Sequence, residues 1–171
     1  MKVRVVEYKR EWPGLYLDEA EKIKNILKDE LVNIYHIGST SVENLKAKPI
    51  IDIMVVVKGI TKVDNHNKEF ESLGYEPKGE YGMIGRRYFR KGLENRTHQI
   101  HIFESSNSND IERHLAVRDY LREHPDYAIE YGELKSKLAI MFPSDIEAYC
   151  DGKDEFVKEL ERKALDWYKN K

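Results

Sequence analysis

A chain of 171 residues with 29 Lys plus Arg against 31 Asp plus Glu has a formal net charge of −2, without the basic excess of a dedicated duplex nucleic-acid binder. Its 11 Tyr, 5 Phe and 2 Trp exclude the disordered class, and its length suffices to bury a core without staples. One cysteine, Cys150, excludes an internal disulfide and a multi-cysteine zinc cage, so the chain reads as intracellular and cytoplasmic.

The first residues, up to Trp12, carry charges throughout and hold no apolar stretch of secretory length, so no signal peptide is expected. Val3 and Val5 suggest a short extended segment, and Trp12-Pro13-Gly14 reads as a break. From Leu15 to Leu31 the apolar positions Leu15, Tyr16, Ala20, Ile23, Ile26 and Leu27 recur at helical spacing. Ile34–Ile37 reads as a strand ending at Gly38. Thr40-Ser41-Val42-Glu43 has the form of a capping box, which predicts a short helix stopped by Pro49. Ile50–Val57 is β-branched and apolar on both faces, as a central strand should be. Its segment Ile53–Val57, the longest apolar run, falls far short of the ~20 residues that cross a bilayer, so no membrane partner is expected.

A helix over Lys62–Leu73 follows, and Gly74, Gly79, Gly82 and Gly85 mark a loop-rich stretch. Arg87–Lys91 and His98–Phe103 read as two strands joined by a turn at Gly92–Asn95. The remainder predicts helices over Asp110–Glu123, Tyr127–Met141, Ser144–Cys150 and Asp154–Lys169, separated by Pro125, Pro143 and Gly152. The first ~105 residues are thus mixed α/β, and those from about 109 onward are helical. No flexible linker divides the halves, so residues 1–171 read as one domain.

Asp52 is the anomaly, a lone acid inside the apolar central strand. An unpaired buried carboxylate costs several kcal/mol, so it must pair, bind a cation or sit at the strand's open end. Upstream, Gly38-Ser39-Thr40-Ser41 leaves a strand and opens the expected helix, where backbone N–H groups and hydroxyls suit a phosphate. Twelve residues, positions 40 to 51, separate Ser39 from Asp52. This resembles the nucleotidyltransferase superfamily pattern, in which a Gly-Ser turn holds a nucleotide's triphosphate and acids at i and i+2 of the next strand share a divalent ion. The residue two beyond Asp52 is Met54, so the second acid is missing. The neighbouring strand offers His101, and an Asp–His pair suits Mn²⁺ better than Mg²⁺.

The run His36-Ile37-Gly38-Ser39-Thr40-Ser41-Val42, Leu45 and Ala47 to Ile53 is similar to the signature of the GrpB family. So are Gly85-Arg86-Arg87-Tyr88-Phe89, the pair His98 and His101, His114 to Arg122, Tyr131, Leu134-Lys135 and Leu138-Ala139. The resemblance spans about Val5 to Trp167, nearly the whole chain. It implies an α/β, nucleotidyltransferase-like mixed sheet with flanking helices and an all-helical C-terminal portion. Some relatives in that family are joined to dephospho-CoA kinase domains. Many carry Asp at the position of Met54, and others do not.

The resemblance implies as a first expectation a metal-dependent transfer of a nucleotidyl group from an NTP to an acceptor. Gly38, Ser39, Thr40 and Ser41 would hold phosphate, Asp52 would ligate Mg²⁺ or Mn²⁺ with help from His101, and Lys48 and Arg86 would screen phosphate charge. The second expectation, carried by Met54, is a module that binds a nucleotide or another phosphorylated small molecule without chemistry. A third is an interaction protein whose helical half docks a partner. Each signal also has a plainer reading. The Gly-Ser turn could be a cap, and Asp52 could pair with Lys48, Arg86 or Arg87. His98 and His101, three apart, fall on opposite strand faces, and a satisfied core histidine is the default for each. Arg86, Arg87, Arg90 and Lys91 read as a solvated edge, Glu80 as a loop acid, and Arg118 and Asp119 as ties between helix and sheet.

Overall fold

The computed structural model describes residues 2–171. Its centre is a five-stranded mixed sheet built from β1 (Leu31–Ile37), β2 (Ile51–Val57), β3 (Tyr75–Pro77), β4 (Arg86–Lys91) and β5 (His98–Glu104), in the order β1-β2-β5-β4-β3. β2 runs antiparallel to β1 and parallel to β5, and β4 runs antiparallel to both β5 and β3. β2 lies inside the sheet because six of its seven residues are buried, with Asp52 the half-exposed exception. β-branched residues on both faces fit that position.

Side-chain alternation sorts the sheet into two faces. Ile51, Ile53, Val55 and Val57 of β2, with Ile100 and Ile102 of β5 and Phe89 of β4, pack under α1 (Trp12–Leu27) and α2 (Asn67–Ser72) through Ile23, Ile26, Leu27 and Phe70. Each such side chain contributes about 1.5–3 kcal/mol on burial. Glu19 on α1 accepts hydrogen bonds from Tyr75 and Lys91, tying that helix to the sheet's far edge. The other face carries Asp52 and Met54, with Gln99, His101 and Phe103 beside them in register. There Ile37, Met54 and Phe103 meet Ile111 and Leu115 of α3 (Ser108–Glu123).

The helical half continues with α4 (Pro125–Met141) and α5 (Ile146–Lys169). Leu121, Ala128, Tyr131 and Leu160 close over Val42 and Leu45, while Leu138 and Tyr149 close over Val3. No helix of the described residues is long and apolar enough to cross a membrane.

Several elements differ from the sequence expectation. α1 starts at Trp12, because Pro13 occupies the first turn, where a missing N–H costs nothing, and the chain leaves the helix at Lys28 with φ 52°. The expected helix after Gly38 is a single 3₁₀ turn, Ser39–Ser41. The Thr40 hydroxyl donates inward to Ile50 O at 3.3 Å instead of capping. The stretch after β2 forms a 3₁₀ segment, Ile60–His66, before the short α2. β3 emerges as an edge strand with no separate sequence signal. The two C-terminal helices expected on either side of Gly152 are one continuous helix, α5.

Candidate ligand-binding site

β1 ends and the chain turns back beside Asp52. Gly38, at φ 73° and ψ −174°, occupies a backbone region essentially reserved for glycine. A Cβ there would lie 2.6 Å from Asp52 Oδ2. The bend therefore sits against the carboxylate, and only glycine allows that approach.

The turn is held from within. Ser41 Oγ donates to Gly38 O, and His36 lies 3.0 Å from Thr40 Oγ1. Since the Thr40 proton goes to Ile50 O, the His36 ring nitrogen donates to the threonine oxygen. His36 stacks on Tyr16, ring centroids 4.8 Å apart, and burial pushes its pKa down to about 4. From outside, Arg122 of α3 donates two hydrogen bonds to Ser41 O, at 3.0 and 2.8 Å, and Arg118 donates one to His36 O. Arg118 and Asp119 thus tie helix to sheet. Thr40 and Ser41, expected to hold phosphate, spend their hydroxyls on the turn itself. The short 3₁₀ turn also has no helix dipole to offer an anion.

Ser39 is different. Its hydroxyl accepts a 2.8 Å hydrogen bond from Nζ of Lys135, which comes from α4 and is 3% exposed. Burial drives the Lys135 pKa well below the usual lysine value, and the nearby Lys153 and Lys48 push the same way. Lys135 lies over the Tyr131 ring, 4.3 Å from its centroid, and Lys48 and Lys153 both lie over Tyr149. Together Gly38, Ser39, Thr40, Ala47, Lys48, Ile50, Asp52, Gln99, Tyr131, Lys135, Tyr149 and Lys153 line a cavity of about 250 Å³, so Thr40 borders it even though its hydroxyl is engaged. Burial also lowers the pKa of Lys48.

His101 sits behind the carboxylate. Its Nε2 is 3.3 Å from Asp52 Oδ1, and its Nδ1 is 3.4 Å from a guanidinium nitrogen of Arg86. A guanidinium only donates, so Nδ1 accepts and the ring proton belongs on Nε2, which donates to Asp52. His101 thereby acts as a hydrogen-bond donor orienting the acid, where a metal ligand had been expected. Arg86 lies beyond His101, bonded also to the Tyr81 and Glu80 carbonyls, and is not a cavity wall. Asp52 pairs with His101 rather than with Lys48, Arg86 or Arg87, and Arg87 pairs instead with Asp64. Glu80 accepts from the Gly85 N–H within its loop. His98 faces the α1 side, near Tyr75.

These donors do not fit a resident divalent ion. Asp52 is one carboxylate, Met54 is fully buried, and His101 turns a protonated nitrogen toward the acid. Among the described residues no three His, Cys, Asp or Glu side chains gather at a point. Mg²⁺ is ordinarily held by one or two carboxylates and substrate phosphates, so any ion here would need its remaining ligands from the bound molecule.

A family profile described as GrpB protein matches residues 2–163. The chain belongs to the GrpB family. It is 45% identical over 170 residues to UPF0157 protein YqkA of Bacillus subtilis, covering 99% of this chain and 49% of that relative. It therefore spans about half the length of that protein. The crystal structure of conserved protein GrpB from Enterococcus faecalis superposes with a TM-score of 0.94 at 50% identity, over 96% of this chain and 99% of that one. Cid1 poly(U) polymerase with MgGTP bound superposes with a TM-score of 0.52 at 14% identity, over 77% of this chain and 43% of that one. This GrpB chain has the nucleotidyltransferase-like fold, a mixed sheet with flanking helices.

Sequence reasoning missed Lys153 and the role of Lys135. Lys135 follows Tyr131 by one helical turn and precedes Leu138 by another, on the stripe that packs inward, so a lysine there was the available signal. Lys153 reaches the cavity because α5 continues through Gly152.

Proposed function

We propose that this GrpB protein binds the phosphate chain of a nucleotide in the cavity between the Gly38-Ser39 turn and helices α4 and α5. The observation that carries the reading is charge. Three amines, Lys48, Lys135 and Lys153, line a cavity with one carboxylate, Asp52, and none of the three has an ion pair among the described residues. Bare amines beside a hydroxyl and a glycine bend seek an anion with several oxygens. Lys135 is the sharpest case, since a buried amine is stable as a cation only once a countercharge arrives. A phosphate chain provides it, and the lysines then neutralise charge that two or three acids with metal would otherwise manage.

Nucleotidyl transfer is the second reading. It is favoured by Asp52 lying against the Gly38 bend, oriented by His101. On that reading the nucleotide brings a divalent ion with it and Asp52 supplies the protein's ligand.

Thermal-shift titration separates the two. Nucleoside triphosphates and inorganic tripolyphosphate should raise the melting temperature without added metal, with stabilisation near 2.7 kcal/mol at about 100 times Kd. Lys135→Met, similar in length but neutral, should keep the fold and lose the shift. Stabilisation that appears only with Mg²⁺ or Mn²⁺, and vanishes in Asp52→Asn, would overturn metal-free binding and favour transfer.

A further inference from the structure

The phosphate cavity is smaller than the ~300–1,000 Å³ typical of sites that enclose a whole drug-sized ligand. Next to it lies a recess of about 700 Å³. The two share Lys48 and Ile50 as walls. The recess is built where three parts of the chain meet: the N-terminal segment at Val3, the β4–β5 turn at Arg96 and Thr97, and the α4–α5 connection at Pro143 and Ser144. The junction is pinned by main-chain bonds, Val3 N to Pro143 O and Ile51 N to Thr97 O, both 2.9 Å. It is therefore a formed surface rather than a gap between loose ends.

The recess shares the cavity's positive balance, through Lys2, Arg4, Lys48 and Arg96 against Glu94, and adds more apolar surface than the cavity has. Val3, Pro49 and Pro143 give flat apolar walls, while Asn95, Thr97 and Ser144 offer hydrogen-bonding edges. Arg96 adds a guanidinium, itself fixed by a bond to Gly92 O. An apolar plane with polar edges complements a heterocyclic base and its sugar. Lys48, on the wall shared by the two spaces, stands where the first phosphate would join the nucleoside.

We propose that this recess holds the nucleoside part of the same ligand whose phosphates occupy the cavity, with Lys48 at the junction. The proposal rests on the phosphate reading above and adds to it a second subsite that selects nucleotides over plain polyphosphate. Thr97, at the β4–β5 turn, and Ser144, in the α4–α5 connection, both line the recess and are both exposed. Neither residue lines the cavity or belongs to the core, so the bulky variants Thr97→Trp and Ser144→Trp fill the recess from its own walls.

Calorimetric titration of wild type and both variants, each with tripolyphosphate and with ATP, GTP, CTP and UTP, tests this. Wild type should bind at least one nucleotide about tenfold or more tightly than tripolyphosphate, and each variant should lose that advantage while its tripolyphosphate Kd stays within about twofold. Nucleotide affinity unchanged in both variants overturns the recess and leaves the cavity intact. So does a wild type that binds tripolyphosphate as tightly as any nucleotide. Failure of wild type to bind any of these ligands overturns the phosphate reading and the recess with it. Circular dichroism melts of both variants verify that each is folded.

Discussion

At the scale of single residues, three histidines whose pKa burial depresses, His36, His98 and His114, contribute to the protein's response to acid. Burial lowers the pKa of His36 to about 4 and that of His114 to about 3, from an ordinary 6.5. His114 Nε2 is also buried with no hydrogen-bond partner. In the window between 6.5 and those depressed values the unfolded chain binds protons that the folded chain refuses. Stability is therefore intact above pH 6.5 and declines as pH falls, approaching about 1.4 kcal/mol per pH unit for each histidine. Below about pH 4 His36 ceases to add to the slope. Urea unfolding of wild type and His114→Phe from pH 7 to pH 5 measures this. The variant should be as stable or more so at pH 7, since it removes an unpaired polar atom, and should lose one histidine's share of the slope. An identical slope in both proteins would show that His114 does not titrate as argued. The residues legible in the sequence were those that broke a local rule. Asp52 interrupts an apolar strand, and Gly38-Ser39 interrupts the chain beside it. Lys135 breaks a rule too, but a long side chain that snorkels hides its burial from any count of polar residues.

At the scale of elements, glycine was the misleading letter. Gly152 reads as a helix breaker, yet α5 passes straight through it. The reason lies on the neighbouring helix. A Cβ at Gly152 would come within 2.5 Å of Leu138 Cδ2, so the residue is small to let α5 approach α4. Two effects then oppose each other in Gly152→Ala. Helix propensity gains about 1 kcal/mol, while overpacking against a buried leucine costs about 1–3 kcal/mol. Overpacking wins, and the variant should lose roughly 1 kcal/mol. Made in a Leu138→Ala background, where the space is vacated, the same substitution should stabilise. A double-mutant cycle by thermal melting reads the coupling, and additive effects would refute the contact. Helical spacing made α1 readable, an unbroken β-branched run made β2 readable, and Pro125 and Pro143 marked where α4 begins and ends. The 3₁₀ turn at Ser39–Ser41 was not, because whether Thr40 caps a helix or bonds inward to Ile50 O depends on a strand ten residues away.

At the scale of the whole molecule, the candidate site belongs to neither half alone. Gly38, Ser39 and Asp52 come from the sheet, and Lys135, Tyr149 and Lys153 from the helices. Arg118 and Arg122 of α3 hold carbonyls of the bend, and Val42 and Leu45 are covered by Leu121, Tyr131 and Leu160. Stripping away the helices would leave the cluster under α1 and α2 in place but expose that apolar surface and the face carrying Ile37, Met54 and Phe103, so the sheet's second face is closed only by the helical half. The halves should therefore unfold together. The two tryptophans make this directly measurable, because Trp12 is buried in α1 of the sheet half and Trp167 lies in α5, edge-on to Tyr120 and His124. Single-tryptophan versions, Trp167→Phe and Trp12→Phe, should each show one denaturant transition in fluorescence that coincides with the loss of helical circular dichroism in the same protein. Should the Trp167 signal be lost at a lower denaturant concentration than the rest, the helices would be a separately melting layer. The lysines they contribute would then form a site only under conditions where that layer is closed.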